Sequence, residues 1–267
     1  MNSRNLYSSF EVSDSTELEG KREDYLTNET PIAISYNGIS HVVMMATPND
    51  LEDFAIGFSF SEGIVQSKDD IFDIQIRKNS NGTEINLEID QENFINLKKI
   101  KRNLSGKTGC GICGVESLDY FSDRLNRLYP SRNEILLKKD IIFKSLSDFN
   151  NSQEAHSKTG SIHAASFFDS NGKILSTSED VGRHNALDKL IGSILAKRLN
   201  GGFVICSSRA SYEMVQKILV TKIPILIAIS APTSMAVELA KKNNLTLIGF
   251  AREKRFVVYS HKERIIE

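Results

Sequence analysis

Phe203 to Ser230 reads FVICSSRASYEMVQKILVTKIPILIAIS. Two continuous apolar runs, FVICSS and ILIAIS, have the length and texture of strands buried on both faces. Between them YEMVQKILV is amphipathic with helical spacing. The same alternation continues with SMAVELAKKN as a helix and LTLIGFA and RFVVYSH as strands. Before it, SIHAASFFD and KILSTSED flank a Ser170-Asn171-Gly172 turn, and a helix over Asn185–Leu199 ends at Asn200-Gly201-Gly202. Apolar strands alternating with helices imply crossover units and a largely parallel sheet covered on both sides. The expected class is α/β for the second part of the chain.

The first part reads differently. PIAISYNGISHVVMM is a hairpin about Asn37-Gly38, a dipeptide that tolerates positive φ at both central turn positions. TPNDLEDFAIGFSFSEGIV is a helix, with Asn49 and Glu52 spaced as a capping box. IFDIQIRKNSNGTEINLEID repeats the hairpin pattern, giving a smaller, mostly antiparallel α+β domain. Four segments are expected: a polar stretch over 1–25, poorly ordered or edge-like; the α+β domain over 26–100; a Gly-rich connection over 101–116; and the α/β domain over 117–267. In the last, ESLDYFSDRLNRLY and SRNEILLKKDIIFKSL read as helices.

The 267 residues carry a net charge of -1, which hides an asymmetry. Residues 1–100 hold 8 Lys/Arg against 18 Asp/Glu, and the rest hold 25 against 16. A basic second part suits an anionic ligand such as a phosphate. The basic residues are dispersed and have no aromatic stripe beside them, which disfavours nucleic acid. No apolar run reaches the roughly 18 residues of a membrane span, and no secretory leader is visible. Three cysteines make no disulfide framework, so a reducing cytosol is the expected compartment.

Ligands of open α/β sheets bind beyond the carboxyl ends of the strands. Here those ends carry SEDVGRHNALDK, with Glu179, Asp180, Arg183, His184, Asn185 and Asp188; SSRASYEMVQK, with Ser207, Ser208, Arg209 and Glu213; SAPTSMAVELA, with Ser230, Ala231, Pro232 and Thr233; and FAREKR, with Arg252 and Arg255. Four such loops imply one composite pocket. Its arginines and helix N-termini favour phosphate or pyrophosphate. Taken singly, Ser208 and Ser234 read equally well as helix caps, His163 and His184 as structural histidines, and Cys206 as a buried core thiol.

The Gly-rich connection holds GKTGCGICGVE, with Cys110 and Cys113. A zinc site lacks two further ligands, and a zinc deaminase would need its H-x-E upstream. A dithiol oxidoreductase would place the pair between a strand and a helix. The glycines instead fit a thiol on a flexible arm, with Lys107 favouring the thiolate, that carries a group between a donor and an acceptor.

The motifs ETPIAISYNG, MMATPNDLEDFAIGFSFSEGIV, TGCGICG, TGSIHAA, EDVGRHNALDK, SSRASYEMVQK, SAPTSMAVELA and GFAREKRFVVY occur in the order in which they stand in the FdhD family of formate dehydrogenase accessory sulfurtransferases, which this chain resembles from about Pro31 to its end. The resemblance implies a cytidine-deaminase-like α/β fold without the zinc, no resident metal and a homodimer. It implies sulfur transfer from a cysteine desulfurase to the molybdenum cofactor in its bis-guanine-dinucleotide form, ahead of insertion into formate dehydrogenase. Cys110 maps to the persulfide-forming nucleophile and Cys113 to a supporting thiol. Phe250, Ala251, Arg252, Glu253, Lys254 and Arg255 map to the segment that holds the cofactor through its guanine nucleotide part. Ser161 and Ser207 stand where the family pattern has glycine. Two other classes remain: a non-catalytic cofactor chaperone and a dithiol oxidoreductase.

Overall fold

A computed structural model describes residues 6–15, 17–103 and 135–267. Strands β1 (Tyr7–Asp14) and β2 (Glu17–Thr27) pair antiparallel as a separate two-stranded hairpin. Strands β3 (Thr30–Tyr36), β4 (Ile39–Ala46), β5 (Ile71–Asn79) and β6 (Gly82–Ile89) form a sheet in the order β4-β3-β6-β5. Asn37 and Gly38 both take positive φ, 48° and 77°, as the hairpin requires. The two hairpins are antiparallel, while β3 and β6 join in parallel. Helix α1 (Leu51–Ser61) buries Leu51, Phe54, Ala55 and Phe58 against Ile32, Ile34, Ile85 and Leu87 of this sheet. The expected capping box at its start is absent. Asp50 is the cap residue, in the left-handed region, and Asn49 turns its amide to Asp50 and to Lys189 instead. Helix α2 (Gln91–Asn103) follows β6.

After the undescribed stretch, the segment expected as one helix begins with a short strand, β7 (Leu137–Lys138), paired in parallel with β14 (Ile265–Ile266). Helix α3 (Lys139–Asn151) and the short α4 (Glu154–Thr159) follow. The remaining elements are β8 (His163–Asp169), β9 (Ile174–Asp180), α5 (Arg183–Ala196), β10 (Gly202–Cys206), α6 (Tyr212–Val220), β11 (Ile225–Ala228), α7 (Ser234–Lys242), β12 (Thr246–Arg252) and β13 (Arg255–Ser260).

Six strands form the larger sheet in the order β13-β12-β11-β10-β8-β9. Only the central β10-β11-β12 pairings are parallel, and β8, β9 and β13 run antiparallel to their neighbours. The sheet is therefore mixed rather than largely parallel: β8–β9 and β12–β13 are tight hairpins, which have no room for a crossover helix. Side chains of β10 alternate between two cores. Val204 and Cys206 pack with α5, α6 and α7, and Phe203 and Ile205 pack with α3. Helices thus cover both faces.

The smaller unit is joined to the larger through α1 and α5, which cross backbone to backbone. A Cβ on Gly57 would lie 1.7 Å from Asp188 O, and one on Gly192 would lie 1.8 Å from Asp53 O. Nothing larger than glycine fits at either point.

Candidate functional site

The carboxyl ends of β10, β11 and β12 meet along one edge of the larger sheet, held by backbone hydrogen bonds. Ile229 N–H donates to Cys206 O at 3.0 Å, Ser230 N–H to Ser208 O at 3.4 Å and Thr233 N–H to Ala210 O at 3.0 Å. Phe250 N–H donates to Ser230 O at 3.1 Å, and the Arg252 guanidinium caps Ile229 O and Ala251 O. This edge brings together Ser208, Arg209, Ser230, Ala231, Pro232, Thr233 and the segment Phe250–Arg255. Arg209, Arg252, Glu253, Lys254 and Arg255 are solvent-exposed, and Ala251 is buried in the core. Phe250 takes φ 49°, and its ring is 46% exposed. A non-glycine residue in this region carries a conformational cost that the surroundings must sustain.

Two of these side chains make local hydrogen bonds. Thr233 is the N-cap of α7, its hydroxyl accepting from Ala236 N–H at 3.3 Å. Ser208 is not a cap: it is buried and donates to Arg209 O at 3.1 Å. Ser211 is the cap residue of α6, yet its buried hydroxyl has no partner among the described residues.

The loop after β9 divides into bracing and open groups. Glu179 accepts the N–H groups of Ala155 and His156 at 3.1 and 2.9 Å, tying down the start of α4. Asp180 is buried and accepts from Thr47 N–H, Gly182 N–H, the Asn185 amide and Lys189. Asp188 is buried against Lys217 Nζ at 2.9 Å and takes the Ser61 hydroxyl at 2.6 Å; Lys217 also reaches Glu62 at 2.9 Å. Burial pushes the Asp188 carboxyl up, and Lys217 pulls it back. Asp180 and Asp188 join the two units, and Glu179 braces α4.

Arg183 and His184 are the open members. The Nε of Arg183 is buried and without a partner among the described residues. His184 Nε2 lies 3.2 Å from Glu213, a carboxylate on the first turn of α6. Burial first, and then the charges of Arg183 and Lys217, push the imidazole down to about 4. At neutral pH it is uncharged and donates to Glu213.

A cavity of about 570 Å³ opens beside this edge, under the ends of β10 and β11 and against α3 and α4. Gln153, His156, His163, Ser207 and Ile229 line it, with Ser161 at its rim, where Thr27 of β2 meets the Ser161 hydroxyl at 2.7 Å. Both serines that stand where the family pattern has glycine therefore face one cavity. Gln153 and His156 carry no motif and lie outside the strand-end loops; only the chain path through α3 and α4 puts them here. Cys110 and Cys113 lie outside the described residues. Among the described residues no group of three or more His, Cys, Asp and Glu gathers as for a metal. Nor is any described helix long and apolar enough to cross a membrane.

The fold and edge can be compared with known proteins. Over 98% of its length, and 99% of the other chain, this chain superposes with a TM-score of 0.75 on the crystal structure of a protein from Desulfotalea psychrophila described as a formate dehydrogenase accessory protein, at 26% sequence identity. The FdhD/NarQ family profile matches residues 27–266, which span both sheets and the strand-end edge. The chain belongs to the FdhD/NarQ family.

Proposed function

We propose that this protein serves formate dehydrogenase maturation as a sulfur carrier. A cysteine desulfurase persulfide is attacked by the Cys110 thiolate; the donor S–S bond breaks, the donor thiolate leaves, and Cys110 holds the sulfane sulfur. Attack of the Cys113 thiolate on the Cys110 sulfur then releases hydrosulfide to the bound molybdenum cofactor and leaves a Cys110–Cys113 disulfide, which an external thiol reduces. The cofactor is substrate here, in its bis-guanine-dinucleotide form, and formate dehydrogenase receives it after sulfuration. The carrier works as a homodimer in the cytosol.

Family membership across residues 27–266 is the observation that carries the reading. The edge supports it: Arg209, Arg252 and Arg255 are exposed beside small residues, as phosphates of a dinucleotide require. In the same reading the mixed sheet, with helices on both faces, is a cytidine-deaminase-like domain. The test is peptide mass spectrometry after incubation with a cysteine desulfurase and free cysteine. One added sulfur on the Cys110 peptide, removed by a reductant and absent in Cys110→Ala, is the expected result. No added sulfur with an active desulfurase would leave the cofactor-chaperone alternative.

A further inference from the structure

The β1–β2 hairpin lies almost wholly before the family-matched residues and stands as a sheet of two strands. Such a ribbon is marginally stable in water without a cover. One face is covered at its base: Tyr7 and Tyr25 meet edge-on at 5.6 Å, and Lys158 of α4 holds its amine 4.7 Å over the Tyr7 ring. The register sets Ser8 opposite Leu26 and Phe10 opposite Asp24, so Phe10 and Leu26 share the other face. There they are 50% and 44% exposed. The ribbon is also acidic: residues 7–27 carry 6 Asp/Glu against 2 Lys/Arg. Glu11 and Glu23 stand directly opposite each other, a pairing that like charges disfavour. A surface complementary to this ribbon is apolar and basic.

The chain has such a surface. A cleft of about 840 Å³ lies between the smaller unit and the carboxyl ends of α5 and α6. Half-buried Phe60, Ile71, Leu195 and Val220 line it, together with exposed Lys68, Arg198 and Lys222. Arg198 and Lys222 take φ 53° and 61°, a helix-end conformation that glycine adopts without strain. Two long cations are thus held at this cleft at a backbone cost. Within one copy ribbon and cleft lie apart. The ribbon base sits on α4, which Glu179 ties to the amino end of α5, and the cleft is at the far end of that helix, about 20 Å away. Two copies laid antiparallel bring each ribbon to the other's cleft, and the two identical contacts close on each other. We infer that the Phe10 and Leu26 face of the ribbon docks in this cleft of a second copy, its surplus carboxylates against Lys68, Arg198 and Lys222. The inference rests on the homodimer of the proposed function and assigns the surfaces that meet in it. Ribbon against ribbon would instead set two acidic surfaces together.

The test is sedimentation velocity of the full chain under reducing conditions, with two charge-reversed variants. One alters the ribbon (Glu23→Lys with Asp24→Lys) and the other the cleft (Lys68→Glu with Arg198→Glu). Each should weaken self-association at least about tenfold. An equimolar mixture of the two should recover the parent affinity, because both contacts of the mixed dimer again join opposite charges. If the ribbon variant does not fold, Phe10→Ser should weaken the dimer in its place. Arg198→Gly should also weaken it, with no fall in the melting temperature of the diluted monomer, since glycine relieves the left-handed backbone. A guanidinium that served only the fold would give the reverse, a less stable monomer and an unchanged dimer. Parent affinity in both reversed variants, or a mixture as weak as its components, overturns the inference and leaves the homodimer standing. A parent chain that stays monomeric overturns both. Open chains of growing length overturn the reciprocal arrangement, and the inference with it.

Discussion

Lys189 and Asp180 face each other at 2.7 Å with neither side chain exposed to solvent, and Lys189 also donates to Thr47 O and Asn49 Oδ1 of the smaller unit. Burial pushes the Lys189 amine down, and Asp180 opposes that shift. Removing one partner of such a pair leaves an uncompensated buried charge, a cost of about 3–5 kcal/mol. Lys189→Met should therefore lower the free energy of unfolding by that amount, read from urea titration as a lower midpoint. An unchanged midpoint would mean that the pair does not join the two units.

The α1–α5 crossing sets a second expectation. Gly192→Ala would push a methyl into Asp53 O, and Gly57→Ala would push one into Asp188 O, both at under 2 Å. The helices must separate, at about 1–3 kcal/mol or more. Gly201→Ala, where a Cβ meets nothing within 4 Å but φ is 67°, should cost only the backbone term of about 1 kcal/mol. Chemical denaturation of the three variants orders them; equal losses would refute the close-packing account.

His184 gives a pH signature. Its folded value of about 4 lies below the roughly 6.5 of an unfolded imidazole, so the unfolded chain binds the extra proton. Stability from this group is complete above about pH 6.5 and is lost as pH falls toward 4. With the side chain 28% exposed, the loss is on the order of 2 kcal/mol. The His184→Phe variant should show a flatter stability profile between pH 6.5 and 4 than the parent. Parallel profiles would contradict the low value.

Cys206 should be inert in the folded chain. It is 1% exposed, and burial pushes its thiol up to about 11. At pH 8 only about one thiol in a thousand is thiolate, and even that one is inaccessible. Maleimide should label Cys206 only after denaturation. Rapid native labelling, or sulfur recovered on the Cys206 peptide, would count against both its burial and Cys110 as the carrier.

Much of this was legible in the sequence, for identifiable reasons. The continuous apolar runs of β10 and β11 announced a sheet covered on both sides, and Asn37-Gly38 announced its hairpin through the conformation those residues tolerate. Phe250 to Arg255 and Ser230 to Thr233 were placed on one edge because strand ends collect there. What failed was the role of isolated charges. Asp180 and Asp188 stood among the candidate ligand groups because Thr47 and Ser61, which donate to them, lie more than a hundred residues earlier. Asn49 was read as a cap from local spacing, and a distant lysine changed its task. Gln153 and His156 left no signal, since nothing in a short window reveals which helix end will roof a cavity.

The seam between the two units also dictates an order of events during synthesis. The β3–β6 sheet and α1 leave the ribosome long before α5 and α6 exist. Until then Thr47, Ser61 and Glu62 lack the partners that complete them, and Gly57 lies bare on a helix with nothing across it. The N-terminal half is thus an unfinished surface for most of translation, exposed to chaperones and proteases. A chain truncated before residue 183 should be cleared rather than accumulate. The cell would thereby discard chains that possess the cysteine pair but lack the strand-end edge of the larger sheet.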